Sequence, residues 1–594
     1  MEPILQDLRY GLRTLIKNPM FTAVAVFCLA LSIGANTAIF SVVNGVLLSP
    51  LPFESPDELV RIYTVRKKTD GSRDQFSLSP QTYVELRDGS ESFAQLALIR
   101  DRTLSLSSAG DPVRLEAVGT TFNLFELLGI QPIRGRAIQA EEDRPGGPNV
   151  AVLSYSLWQR QFAGDERIVG QTAIFDDIRY TVIGIMPEGF SYPSRTEVWV
   201  PLGLDPQQMP DRQRHNLSGI ARLAPGIDLS SGQTEMDVVA ARLAQTDPET
   251  YESLGLFLLP VRDRLIGDGD QALILLLIAV GFVLLIACSA VASLILARGS
   301  TTSQAVAVRA SLGASRGRLI VQFLVESLLL ALLGSAVGLL LANFAMPLLA
   351  TLVPPDVRPH QDYSIDLRVL AFTGVMVLLT SLGFGLVPAM RFSSVPPQIL
   401  LRGGRGATGK VRGQRLQSAL VVLELAIAVV LLIATGLLSR SFRNLIDIDP
   451  GFSTERVLVL RLDPPAARYA EPEQQTAFLN DILERLAALP GARAIGSTTT
   501  LPMGDGHRNR AARFSVEGQI PENPGDFNVE FYRMISPGYF DAMSMPMLEG
   551  RAFSDLDQAE TQGVAIVSEA MAERYWPGER AVGKRLKRGT YTSE

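Results

Sequence analysis

Five charge-poor runs, four of them crowded into the middle of the chain, limit what this sequence can fold into. A helix crosses about 30 Å of hydrocarbon with roughly 20 apolar residues. Phe21–Leu48, Gln271–Ala297 and Val369–Met390 carry no charge; Leu319–Val353 carries only Glu326, and Gln417–Leu438 only Glu424. Such runs predict membrane spans. The first is longer than the apolar region of a signal peptide and lacks a small-residue cleavage site, so it reads as retained.

Charge orients these spans, because short basic loops stay cytoplasmic. Arg298–Arg318 (RGSTTSQAVAVRASLGASRGR) holds Arg298, Arg309, Arg316 and Arg318 and no acid. Arg391–Arg415 holds Arg391, Arg402, Arg405, Lys410, Arg412 and Arg415 and no acid. A chain that starts in the cytoplasm then places the long hydrophilic segments 54–266 and 440–594 on the far side. Within the first basic hairpin Ala305, Val308 and Leu312 recur at helical spacing. Gly313 is placed to end that turn in the left-handed conformation, and Ser315 to cap the next span. A short helix held between two spans suits a lever for a cytoplasmic partner.

Ahead of the first span, Ile4, Leu5, Leu8, Leu12, Leu15 and Ile16 share a helical face, while Arg9, Arg13 and Lys17 form an i, i+4 row. That pattern predicts a helix in the headgroup region of an anionic leaflet, broken at Asn18-Pro19. With 594 residues and 47% apolar content, the chain requires several units. Its net charge of −6 hides basic residues gathered in loops, and no nucleic-acid partner is implied. Cys28 and Cys288 fall in apolar runs, and His215, His360 and His507 are scattered, so neither disulfides nor a metal site is predicted.

The segment 54–266 reads as α+β: strand-like runs start at Leu59, Val113, Asn149, Arg179 and Glu197, and Tyr155–Phe162 reads as helix. Asp176-Asp177 fits a hairpin turn; Arg222–Ala244 reads strand, Pro225-Gly226 turn, then amphipathic helix, with another strand near Phe257–Val261. The final segment repeats this one. Phe125, Gly135-Arg136, Ala151, Ser154, Arg160, Phe162 and Gly170 find counterparts in Phe540, Gly550-Arg551, Ala565, Ser568, Arg574, Trp576 and Gly583. NVAVLSYSLWQRQF and GVAIVSEAMAERYW are one motif, so the chain is internally duplicated. The second copy reaches Glu594 without the stretch that leads the first into a span. The expectation is a C-terminally incomplete repeat, lacking the rest of that domain and three further spans.

Gly404–Val411 (GRGATGKV) imitates a phosphate loop, but Val411 replaces the magnesium-binding hydroxyl, no buried strand precedes it, and Pro396-Pro397 marks a flexible linker. No ATPase motif or nucleophile elbow is found, so the chain reads as a non-enzyme without a cofactor of its own, any ATP lying on a partner subunit. Glu326 and Glu424 sit about two turns inside their spans; such carboxylates are costly there and often functional, and a structural role for both is favoured. Gly334 and Gly338 form a small-xxx-small pair that permits close helix contact.

The opening DLRYGLRTLIKNPMFTAVAVFCLALSIGANTAIFSVVNGVLLSPLPF and the hairpin AVRASLGASRGRLIVQFLVESLLLALLG resemble MacB/FtsX-type ABC transporter permeases, and the duplicated layout resembles the acidobacterial duplicated orphan permeases. The resemblance covers essentially the whole chain. It implies an α-helical transmembrane bundle (FtsX-like) with α+β extracytoplasmic MacB-like core domains, in a bacterial inner (plasma) membrane. The expected organisation is an interfacial helix 1–20, spans at 21–48, 271–297, 319–353, 369–390 and 417–438, a coupling hairpin 298–318, a linker 391–416, and periplasmic core domains 54–266 and 440–594. It further implies a separate cytoplasmic ABC ATPase docking on Ala305, Val308, Arg309, Leu312, Gly313, Ala314 and Ser315, with Gln322 and Glu326 opening the next span. The family usually has Glu where this chain has Ala305, which points to a weakened or shifted ATPase contact. A periplasmic adaptor or envelope protein is a further implied partner, and the two halves would act as a pseudo-dimer. The implied function is ATP-driven export or mechanotransmission; the alternative is a membrane-anchored regulator of cell-envelope partners that moves no substrate.

Overall fold

The computed structural model describes residues 2–67, 73–107, 112–193, 195–205, 216–251, 253–267, 269–297, 315–352, 365–393, 407–464, 468–469, 471–504, 510–519, 528–558 and 560–589. Two compact units emerge, Met1–Pro52 with Arg262–Asp447 and Phe53–Val261 with Ile448–Glu594.

The first unit is helical. It comprises α1 (Glu2–Lys17), α2 (Pro19–Val43), α3 (Gly269–Ala297), α4 (Arg316–Leu352), α5 (Leu367–Ser393) and α6 (Ala407–Ile446). All but α1 contain stretches long and apolar enough to cross a membrane. Pro19 starts α2 where its missing N–H costs nothing. Of the flexible linker expected over 391–416, residues 391–393 continue α5 and 407–416 belong to α6, which makes 407–411 of the phosphate-loop look-alike helical, while 394–406 lie outside the described residues. Extending an existing apolar helix costs far less than nucleating one, so Gly409 and Gly413 do not stop it.

The second unit is α+β. Its larger sheet contains, among the described residues, β1 (Leu59–Lys67), β2 (Arg73–Phe76), β3 (Phe93–Leu106), β4 (Val113–Thr120), β5 (Arg134–Gly135), β6 (Val150–Leu153), β7 (Thr172–Phe175), β8 (Ile178–Ile185), β9 (Val198–Pro201), β10 (Ser218–Leu223) and β11 (Leu254–Pro260). The order is β11-β1-β10-β3-β4-β9-β6-β8-β5, with β2 on β1 and β7 on β3 and β8; β4–β9 and β6–β8 are parallel pairs. Asp176 and Asp177, both at positive φ, turn β7 into β8. The long β3 and the helix Pro80–Gly89 carry no clear local pattern in the sequence; the polar insertion RDRT hides the strand's alternation. One core gathers Ile62, Leu78, Leu98 and Met236 under the helices Pro80–Gly89 and Leu229–Thr246; another gathers Leu115, Leu153, Phe175 and Val182 beside Leu157. Trp199 is fully buried against Phe125 and Phe190, and its indole N–H reaches Tyr192 O at 2.9 Å. The second copy forms a smaller sheet, β12 (Arg510–Val516), β13 (Asn528–Tyr532) and β14 (Leu586–Arg588), over Phe514, Val516, Tyr575 and Trp576.

Candidate coupling site

Of the expected coupling segment only Ser315 lies among the described residues; Ala305, Val308, Arg309, Leu312, Gly313 and Ala314 lie outside them. Ser315 stands at the start of α4, where its Oγ receives the N–H of Arg318 at 3.4 Å and its carbonyl that of Leu319 at 3.2 Å. What α4 touches therefore defines where motion of that segment could go.

At its first turn α4 meets α1. Arg318 Nη2 donates to Asp7 Oδ1 at 3.1 Å; Asp7 is buried, and its second oxygen has no hydrogen-bond partner among the described residues. Arg318 itself is part-exposed, but losing it would leave the buried Asp7 carboxylate uncompensated, so this pair holds the two helices in register. Gly11 lets α1 sit close: a Cβ there would come within 2.8 Å of Leu329 Cδ1 and 3.9 Å of Glu326 Cα. Glu326 is half-buried on that turn of α4, and Glu424 is half-buried on α6, which meets α3 where Ser289 Oγ donates to Leu420 O at 3.1 Å. Leu420, one turn before Glu424, also packs in a cluster with Leu296 of α3 and Leu319 and Phe323 of α4.

Farther along, α4 crosses α2 by backbone approach. Gly334 and Gly338 face Ala30 and Gly34: a Cβ on Gly34 would stand 2.8 Å from Gly338 O, and one on Gly338 would stand 2.8 Å from Ala30 O. Small residues at this spacing replace side-chain contact with main-chain contact. Beyond the crossing Ala38 and Val42 pack with Ala342 and Met346, so the two helices run in the same direction. The sequence displays both halves of this motif, but Gly334 and Gly338 stand out from it while Ala30-x-x-x-Gly34 is diluted by larger apolar neighbours. Buried polar groups fix α2 to its other neighbours. Asn36 Nδ2 donates to Val280 O of α3 at 2.8 Å, Thr37 shares a 3.0 Å hydroxyl contact with Thr373 of α5, and Phe40 stacks on Phe372 at 3.9 Å. An unpaired amide in hydrocarbon is costly, which makes these bonds selective for one arrangement.

At its far end α2 widens into a π-turn, Asn44–Leu48, with Ser49 N bonded to Asn44 O at 2.7 Å. π-turns leave carbonyls without intrahelical partners. Arg262 donates to Leu47 O and Arg368 to Leu48 O, while Asn44 Nδ2 donates to Asp366 Oδ2 at 2.9 Å. Asp366 also accepts the Val369 N–H at 2.8 Å, chiefly which holds its carboxyl below the ordinary carboxylate range. Three chain segments are therefore tied together where the first span ends.

Within the second unit, Arg222 of β10 fastens the chain where it enters the sheet. Its guanidinium donates to Glu54 O at 2.6 Å, Ser55 O at 3.2 Å and Leu127 O at 2.7 Å. The strand that follows, β1, pairs with β11, the last strand before α3, from Val60↔Pro260 to Arg66↔Leu254. The way into the exterior domain and the way out of it are hydrogen-bonded neighbours.

Comparison with known proteins places these features. The family model described as MacB-like periplasmic core domain matches residues 22–239 and again 418–592, and that described as FtsX-like permease C-terminal matches 277–397. The macrolide export ATP-binding/permease protein MacB of Hahella chejuensis is 23% identical over 310 residues, covering 51% of this chain and 44% of that protein. The MacB protein of Campylobacter jejuni is 23% identical over 330 residues, covering 53% and 47%. The chain thus spans less than half the length of these relatives. The crystal structure of the periplasmic region of MacB from Actinobacillus actinomycetemcomitans matches at 15% identity and a TM-score of 0.27, covering 35% of this chain and 90% of that one. The extracellular domain of the ABC-type transporter YknZ from Gram-positive bacteria matches at 12% identity and a TM-score of 0.25, covering 34% and 99%.

Proposed function

The chain belongs to the MacB/FtsX-type permeases of ABC transporters, and we propose that it is the permease subunit on which a separate cytoplasmic ATPase acts to move the exterior domains for export or mechanotransmission. Ala305–Ser315 receives the push, α4 carries it, and the glycine crossing passes it to α2. The observation that carries this reading is the set of tight contacts within the helical unit, Arg318–Asp7, Gly338–Gly34 and Asn36–Val280, which binds α4 to α1 and α2 and α2 to α3, the helices that in sequence precede β1 and follow β11. A rigid relay transmits displacement because close-packed elements switch between arrangements and do not deform. In this reading the membrane is the inner membrane, the N-terminus is cytoplasmic, the Glu326 and Glu424 carboxylates are structural, and the two halves form a pseudo-dimer.

The test is purification of the full chain with its candidate ATPases. An ATPase is retained, and Arg309→Ala or Leu312→Ala alters its hydrolysis rate several-fold; failure of every ATPase to bind the intact chain overturns the proposal. Capture of an exterior adaptor or envelope protein, together with unchanged efflux on deletion, would instead favour a regulator that moves no substrate.

A further inference from the structure

We infer that α1 is a docking face for anionic phospholipid headgroups, and that through Asp7 it ties the position of α4 to the lipid composition of the leaflet it lies in. Helix α1 has more apolar surface than the protein covers. Its buried side, Asp7, Gly11 and Leu15, faces α4 and the bundle, yet Leu12 is 45% and Ile16 76% exposed, as is Met20 at 83% just beyond it. At 100° per residue these exposed apolar groups lie beside the buried stripe, and Arg9, Arg13 and Lys17 lie next to them on the side away from it. All three cations are exposed, and among the described residues none makes an ion pair or hydrogen bond through its side chain. An apolar strip flanked by an unpaired cationic row matches the boundary between acyl chains and phosphate headgroups. Water satisfies the cationic row and leaves the apolar strip exposed, whereas the bilayer boundary satisfies both.

The second observation is the Asp7–Arg318 pair. Asp7 lies on the protein side of the same helix, buried, with Arg318 at 3.1 Å. A phosphate held by Arg9, Arg13 and Lys17 fixes the rotation of α1 about its axis. That rotation sets where Asp7 stands, and Asp7 sets the first turn of α4, directly after Ser315. The inference does not depend on whether an ATPase acts on the hairpin.

The full chain is titrated in detergent with phosphatidylglycerol or phosphatidylcholine, and bound lipid is counted by native mass spectrometry. Each basic residue near an anionic surface is worth roughly fivefold, so phosphatidylglycerol is retained at least about tenfold better, and Arg9→Gln/Arg13→Gln/Lys17→Gln abolishes the preference. If the triple variant is not recovered, Arg9→Gln alone gives a partial loss, and Arg9→Lys/Arg13→Lys keeps the preference. Equal retention of both lipids, an unaltered preference in the Gln variants, or displacement of the lipid by millimolar inorganic phosphate would overturn the inference. A second arm places Ser315→Cys in a Cys28→Ser/Cys288→Ser background within lipid nanodiscs. Adding phosphatidylglycerol slows maleimide labelling at that position several-fold, and Asp7→Asn removes this dependence while leaving lipid retention intact. Labelling that ignores lipid with Asp7 present refutes the link to α4.

Discussion

In the first exterior copy Arg136 grips Glu142 through bonds of 2.8 and 2.6 Å, and in the second Arg551 grips Asp557 through two of 2.6 Å. In each, the acid also accepts a backbone N–H three residues before it, from Gln139 at 2.9 Å or Ser554 at 2.8 Å. Gly135 and Gly550 precede the arginines at φ 74° and 83°, Gly170 and Gly583 sit at φ 90° and 92°, and Ser154 and Ser568 cap their helices from the same position. Surroundings differ sharply. The first copy rests on the large sheet with Trp199 wholly buried, whereas the second covers a small cluster around Trp576. The spans diverge too: α2 buries Leu29, Ala30 and Ile33, while α6, where the second family match begins, leaves Leu432 74% and Leu438 71% exposed. Local devices survive duplication because they need only a few neighbouring residues; cores do not, because they need the rest of a fold.

The largest test of that contrast is the pair of tryptophans. Trp199→Ala should cost about 3–5 kcal/mol, the range for emptying a buried aromatic site, and Trp576→Ala distinctly less, read as the shift in denaturant midpoint of the full chain. Equal costs would mean the second copy has a core as complete as the first. Next come the spans. Gly34→Leu forces apart a main-chain contact and should destabilise the bundle by about 1–3 kcal/mol, whereas Ala434→Leu, on the exposed α6, should leave the melting temperature unchanged. A comparable loss at Ala434 would break the comparison.

The clamps should respond alike in both copies. Bonds from Arg136 hold the Glu142 carboxyl below its ordinary range, and bonds from Arg551 do the same for Asp557. A lowered folded pKa gives stability that is present above the unfolded value, about 4.3 for Glu, and lost as pH falls through the folded value. Arg136→Ala should therefore cost about 1 kcal/mol at pH 7, given that much of the pair meets solvent, and the difference from the parent should vanish in acid. Arg551→Ala should lose its difference in acid too, over a lower window that opens at the unfolded value of about 3.9 for Asp. Asp143, next to Glu142, behaves oppositely: burial pushes its carboxyl up even though Phe122 and Gly203 donate N–H groups to it. The smallest effects are the caps, where Ser154→Ala and Ser568→Ala should each cost about 1 kcal/mol, equal within error by thermal unfolding.

The sequence alone determined the spans, the amphipathic α1, the strand–helix alternation around Tyr155–Phe162 and the repeat that pairs Arg136 with Arg551. Each is a periodic or local property, carried by residues within a turn or a hairpin of one another. The tertiary structure alone decided that Gly34 meets Gly338, that Asp7 answers Arg318, that Asn36 reaches Val280, and that Arg222 holds Glu54 and Ser55. Those partners lie hundreds of residues apart, or across a sheet, and their meeting is set by helix crossing and strand order. No local spacing encodes such a geometry, because it minimises the energy of the whole packed unit and not that of any one segment.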